Sequence, residues 1–355
     1  MDAAKIAKKF EKAQSSLVLQ ASDLSLQTIT QMVASNAIDV SPRYQRRDRW
    51  KEAAQSQLIE SFLINVPVPP VYLAEDDFGT YSVIDGKQRI TAIHRFLTGG
   101  FKLDGLTNFP ELNGLAFADL PAQLRNALSI RPYLRVVTLL RQTDQELKYE
   151  VFTRLNTSGE PLLPQEIRNA VYRGNFNELL FNLSRSQFLR EQMKIKNETE
   201  TPYKEMQDVE SVLRFLSLRT QWQAFDGDMR RSLDQYASDN RELSIADLSK
   251  EEQAFRVAIA RCEALWGANA FRRTEGSVYR DQFMSALYDA QMIAASELSE
   301  AKFKAIKGKQ AQLEAATRAL LKDPKYIDSI RVSTNSPSRV VLRVQKTKDM
   351  LARLV

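Results

Sequence analysis

Apolar residues recur at helical spacing through Leu26, Ile29, Met32 and Val33 in residues 25–36, and through Leu58, Ile59, Phe62 and Leu63 in residues 52–64. This spacing predicts two amphipathic helices, the second stopped by Pro67, Pro69 and Pro70. Around them stand short β-rich runs at Ile38 to Val40, Val71 to Leu73, Tyr81 to Ile84 and Tyr133 to Leu139, with a turn expected over Glu75-Asp76-Asp77-Phe78-Gly79. From Asp144 onward the pattern is helical almost without interruption. Its stripes are Leu179, Leu180 and Leu183; Val209, Val212, Leu213 and Leu216; Phe255, Ile259, Cys262, Leu265 and Trp266; and Phe283, Leu287, Met292 and Ile293. Strands mixed with helices, then helices alone, predict an α+β protein: an α/β core followed by an all-α helical bundle. Boundary candidates are the Asn156 to Pro164 loop and the polar stretch Lys194 to Thr201. The border is expected near 195, giving domains of residues 1–195 and 196–355.

A length of 355 residues suits two domains. No run of about 18 apolar residues is present to span a bilayer. Residues 1–13 carry Lys5, Lys8, Lys9 and Lys12 without a following apolar stretch, so no signal peptide is expected and the expected location is the cytoplasm. The single cysteine, Cys262, lies in a helical stripe and is expected to fill the core; no disulfide can form within one chain. The sole histidine, His94, is expected as a packing or surface residue. With one His and one Cys, this chain alone builds neither an HNH nuclease site nor a Cys/His zinc site.

The formal charge of +6 is modest, and its distribution says more. Residues 43–51 hold Arg43, Arg46, Arg47, Arg49 and Lys51 against Asp48, and residues 331–355 hold six cations against Asp349. In that tail, hydroxyls and amides between Arg331 and Arg339 are the groups that touch DNA backbones, which makes Arg331, Asn335, Arg339 and Arg343 candidate nucleic-acid contacts. Equally, Ser336-Pro337 is a standard helix opening.

The richest local chemistry is at residues 81–97. Val83 and Ile84 end a buried strand, Asp85-Gly86 turns the chain, and Lys87, Gln88 and Arg89 occupy the first turn of a helix whose apolar face is Ile90, Ile93 and Leu97. Backbone N–H groups at a helix start favour an anion, and two cations beside them suit a phosphate. The competing reading is an ordinary strand–turn–helix with a solvated basic first turn.

Three blocks carry a family resemblance. Asp85-Gly86-Lys87-Gln88-Arg89 resembles the Asp-Gly-Gln-Gln-Arg hallmark of the N-terminal domain of GmrSD-type restriction endonucleases, with Lys87 in place of the first Gln. Tyr44-Gln45-Arg46-Arg47-Asp48-Arg49-Trp50 is similar to the family's aromatic-Gln-Arg-x-x-x-Trp segment. Phe152 to Leu162, with Gln165-Glu166-Ile167-Arg168-Asn169, is similar to its Phe-x-x-Leu-Asn-x-x-Gly-x-x-Leu-x-x-x-Glu-Ile-Arg-Asn block.

The resemblance implies a ParB/sulfiredoxin-like core that binds and hydrolyses a nucleoside triphosphate with Mg²⁺, within bacterial systems that restrict foreign or modified DNA. It implies catalytic roles for Asp85, Gln88 and Arg89, with the metal on Asp85, and nucleotide contacts from Tyr44, Gln45, Arg46, Gly86, Lys87, Asn156, Glu166, Arg168 and Asn169. Asn156 would meet a base or ribose and Glu166 would polarise a water; structurally, the same block would form a turn and tie helices together. Lys87 keeps a phosphate contact and removes a neutral amide suited to orienting water. The expected protein is a defence NTPase whose nucleotide state governs engagement of DNA or of a separate nuclease subunit. The alternative is a DNA-binding or scaffold protein with the fold and no hydrolysis.

Overall fold

The computed structural model describes residues 17–40, 50–143, 145–155 and 163–355, together with Ile6 and Phe10. The chain divides into two compact units, Met1–Val171 and Tyr172–Val355. The border thus precedes the position near 195, which was expected because the resemblance assigns the motif helix at residues 165–172 to the first domain. Helices α7 (Asn175–Leu183) and α8 (Gln187–Gln192) carry apolar stripes that pack on α12 (Ile245–Trp266), so they belong to the second unit.

The first unit is built on a five-stranded mixed sheet of order β1-β5-β3-β4-β2, comprising β1 (Leu19–Ser25), β2 (Ile38–Asp39), β3 (Val71–Asp77), β4 (Thr80–Asp85) and β5 (Tyr133–Leu139). β1 pairs antiparallel with β5 and β3 antiparallel with β4, while β3 runs parallel to β5 and β2 parallel to β4. The sequence reading missed β1, because Leu-Gln-Ala-Ser-Asp-Leu-Ser is mostly polar and exposed at a sheet edge. β3 also runs past its expected end, into the acidic residues taken for a turn; only Phe78-Gly79 turn the chain.

Helices α1 (Leu26–Ala34), α2 (Glu52–Leu63) and α3 (Lys87–Leu97) follow the predicted periodicity, and α4 (Ala122–Ile130) adds a helix that the sequence reading did not name. Ser25 closes β1 and opens α1, its hydroxyl accepting from Thr28 N–H at 3.1 Å. The core joins Leu26, Ile29, Ile59, Ile90, Ile93 and Phe96 of these helices to Val71, Leu73, Val83, Leu134 and Val136 of the sheet. Burying such apolar side chains contributes about 1.5–3 kcal/mol each, before the entropy of ordering them. Helices α5 (Gln145–Leu155) and α6 (Pro164–Val171) pack against each other and against β4.

The second unit is helical, as expected, with one exception. Its helices are α7, α8, α9 (Thr201–Lys204), α10 (Gln207–Gln221), α11 (Met229–Asp239), α12, α13 (Ser285–Ser296), α14 (Glu300–Lys307), α15 (Gln310–Leu320), α16 (Pro324–Arg331) and α17 (Pro337–Ala352). The exception is a hairpin of β6 (Thr274–Glu275) and β7 (Val278–Tyr279). Every residue of α13 from Ala286 to Ala295 is buried, and α10, α12, α16 and α17 pack around it. An all-round apolar helix belongs at such a centre. Its one charge, Asp289, is shared by two buried arginines: Arg214 donates from Nε at 2.6 Å and from its terminal nitrogen at 2.7 Å, and Arg343 donates at 2.7 Å. Cys262 is buried as a core filler. Burial lifts its thiol pKa well above the ordinary value, so it is not a ready thiolate.

Candidate functional site

The site grows out of a register shift. Tyr72 pairs with Asp85 while Leu73 pairs with Val83, so Ile84 is an extra residue on β4 immediately before the turn. A bulge bends a strand and re-aims the side chains that follow it, here Asp85. Gly86 then adopts φ 95° and ψ 13°. A Cβ at this position would lie 2.1 Å from Val71 Cγ1, so glycine is required by both backbone angle and space. Helix α3 begins directly at Lys87 with no side-chain cap, which leaves the early N–H groups of a helix to other partners.

Arg89 does not reach outward. Its guanidinium donates to the carbonyls of Pro69 at 2.6 Å and Pro70 at 2.8 Å, and to Asp85 Oδ2 at 2.6 Å. It therefore pins the turn to the segment entering β3 and fixes the Asp85 carboxylate, whose Oδ1 takes no hydrogen bond among the described residues. Two prolines suit this clamp, since they lack N–H groups and offer only acceptors. Gln88 is half-buried on the first turn, and its amide has no hydrogen-bond partner among the described residues; Lys87 beside it is also half-buried. His94, further along α3, is half-buried, and its Nδ1 has no partner among the described residues.

Helix α6 brings the other block to β4. Gln165, Glu166, Arg168 and Asn169 are all buried on it. Glu166 Oε2 accepts from Leu163 N–H at 2.7 Å, the reciprocal half of a capping box, so one of its oxygens serves the helix start. Gln165 donates to Asn169 Oδ1 at 2.9 Å, and Arg168 donates to Gln165 Oε1 at 3.2 Å. Polar groups this deeply buried are held by partners, and such a network fixes side-chain direction. The sequence reading missed Lys148 on α5, which is buried and donates to Glu75 O at 3.1 Å. The signal was present: Lys148 lies on the same helical stripe as Tyr149 and Phe152, both buried. Tyr44, Gln45, Arg46 and Asn156 lie outside the described residues.

The tail residues expected at nucleic acid separate sharply. Arg331 is exposed at the end of α16. Asn335 is exposed but accepts from Arg214 at 3.3 Å. Arg339 donates to the carbonyls of Asp328 and Val332, both at 2.6 Å, and pairs with the Asp328 carboxylate at 2.9 Å. Arg343 is 0% exposed, tied to Asp289 and to the carbonyl of Thr334. Its expected role at DNA is thereby corrected: it falls on the buried face with Val340, Val344 and Thr347 and holds the protein interior.

Residues 29–173 match the family model described as GmrSD restriction endonuclease, N-terminal domain. This segment is a GmrSD-type N-terminal domain. The match ends beside the border between the two units and takes in the bulged strand, the glycine turn, the Arg89 clamp and the polar α6. The matched domain is one of restriction and defence systems. A search of curated proteins and a search of solved structures found no match. Among the described residues, no helix is long and apolar enough to cross a membrane, and no group of three His, Cys, Asp or Glu is placed to hold a metal ion.

Proposed function

We propose that the GmrSD-type domain binds a nucleoside triphosphate at the β4–α3 turn, with hydrolysis coupled to engagement of DNA or of a separate nuclease subunit. The observation that carries this reading is the Gln88 amide, unclaimed among the described residues, on the first turn of an uncapped helix beside Lys87 and the open Oδ1 of Asp85. Phosphoryl transfer needs positioned donors and positive charge more than covalent help. In this reading Lys87 and Gln88 face the phosphates and the α3 amides add their dipole. Arg89 holds Asp85 in place, and the Gln165–Asn169 network lies on α6, which packs against the same strand, β4. Asp85 keeps one oxygen for a share in a Mg²⁺ ion held mainly by the triphosphate, as that ion commonly is, and such an ion would offset phosphate charge.

Titration calorimetry with ATP and GTP in Mg²⁺ tests the binding. Lys87→Ala and Gln88→Ala should each weaken affinity at least tenfold, and unchanged affinity in both would overturn the reading. A second reading, binding without turnover, has support of its own: Asp85 is already neutralised by Arg89, and Lys87 replaces an amide of the family pattern. Phosphate release by the wild-type protein, with and without duplex DNA, separates the two.

A further inference from the structure

The β6–β7 hairpin is a two-stranded sheet by itself, with Thr274 opposite Tyr279 and Glu275 opposite Val278. The next rung joins Arg273 and Arg280, whose N–H donates to Arg273 O at 2.8 Å. Opposed residues share a face and successive residues alternate, so Thr274 and Tyr279 lie on one face and Arg273, Glu275, Val278 and Arg280 on the other. The first face is packed. Tyr279 donates to Glu314 at 3.0 Å, and the Arg318 guanidinium sits 4.6 Å from the Tyr279 ring centre while donating to Ser277 O at 2.8 Å.

The second face is open, with Val278 67% exposed and Glu275 and Arg280 exposed beside it. The cations around the base have partners: Arg272 and Lys194 share Asp281, and Arg318 holds Glu314. Among the described residues, Arg273 and Arg280 have no carboxylate partner. Two like charges opposed on one rung work against the ladder they stand on. A protein that keeps them there, on an exposed ribbon, presents a surface complementary to an anion.

We propose that this open face docks duplex DNA, with Arg273 and Arg280 on backbone phosphates. The major groove, about 12 Å wide, admits a two-stranded ribbon, and guanidinium groups match phosphate oxygens in pairs. Glu275 stands at the tip, past the arginines; there it repels phosphate and suits an exposed base amino group. The surface lies wholly in the second unit, so its test does not require nucleotide binding at the β4–α3 turn.

The test is fluorescence anisotropy of a labelled duplex with the full chain across a salt series. Each phosphate that an arginine neutralises steepens the fall of log affinity with log salt by about 0.9, so Arg273→Ala/Arg280→Ala should flatten that slope by about 1.8 and weaken binding at low salt at least tenfold. Lys302→Ala/Lys307→Ala, which removes two exposed cations of α14, should do less, and Glu275→Gln should bind at least as well as wild type. Should the alanine pair fail to fold, Arg273→Gln/Arg280→Gln keeps the side-chain length and replaces it. Absence of low-salt binding by the wild type, an unchanged slope in the double variant, or equal competition by polyglutamate at matched charge would overturn the assignment.

Discussion

Gly86→Ala is the sharpest probe of the turn that organises the candidate site. The new Cβ meets two penalties. An L residue held in the left-handed region at φ 95° costs about 1–2 kcal/mol. A separation of 2.1 Å from Val71 Cγ1 requires strand or turn to move, and overpacking of this kind costs about 1–3 kcal/mol. Together they remove about 2–5 kcal/mol from the first unit. Hydrogen–deuterium exchange of peptides covering residues 71–97 reads that unit alone, through amides such as Ile90 N–H, bonded to Gly86 O at 2.9 Å. At roughly 1.4 kcal/mol per decade, protection should fall by about 30-fold to a few thousand-fold. Adding Val71→Ala removes the colliding methyls, so the double variant should be more stable than the two single effects summed. Protection within threefold of wild type for Gly86→Ala alone would show that the turn is not locked against β3.

Other expectations follow from the same geometry. Arg89→Lys supplies one ammonium where a fork served two carbonyls and a carboxylate, so it should cost about 1–3 kcal/mol in the first unit, read by urea dependence of exchange near residues 69–73; no change there would remove the clamp. Asp208 is buried, and burial pushes its pKa from 3.8 up to about 6 despite Arg190 at 3.4 Å. The folded state therefore holds the proton more tightly than the unfolded chain. The stabilisation is complete below about pH 3.8 and is lost as pH rises through about 6, an effect of at most about 3 kcal/mol. Asp208→Asn should erase that slope in chemical unfolding of the second unit between pH 4 and 7, and an unaltered slope would assign it elsewhere. Asp289→Asn leaves Arg214 and Arg343 buried without their shared anion and should cost about 3–5 kcal/mol by thermal and urea melting; a cost under 1 kcal/mol would mean that the carbonyls of Ser329 and Thr334 suffice.

The strand–turn–helix at residues 80–97 was legible because its determinants are local: β-branched residues, a glycine, and apolar positions at helical spacing. The direction of Arg89 was not, because the acceptors that capture it belong to Pro69 and Pro70, which the sequence marks only as helix breakers. Arg343 was misread as a surface cation, although its spacing from Val340, Val344 and Thr347 placed it on the apolar stripe. Charge was given more weight than period, and the period was right. β1 escaped notice because a strand of polar residues is fixed by its partner, which lies far along the chain, and the β6–β7 hairpin because strands of two residues show no period. The polar residues of α6 were legible as a block, and their density beside Leu155, Leu162 and Leu163 pointed to partial burial; packing against β4 makes that burial complete.

The pairing of β1 with β5 has a consequence for how the protein is made. Leu19 meets Leu139, so the ribosome must add about 120 residues after the first strand before its hydrogen-bonding neighbour exists. At roughly 5–20 residues per second, the strand waits about 6–24 seconds with its backbone unclaimed. The earliest segment of the sheet is thus among the last to be secured. Chaperone dependence and aggregation during synthesis should centre on that interval.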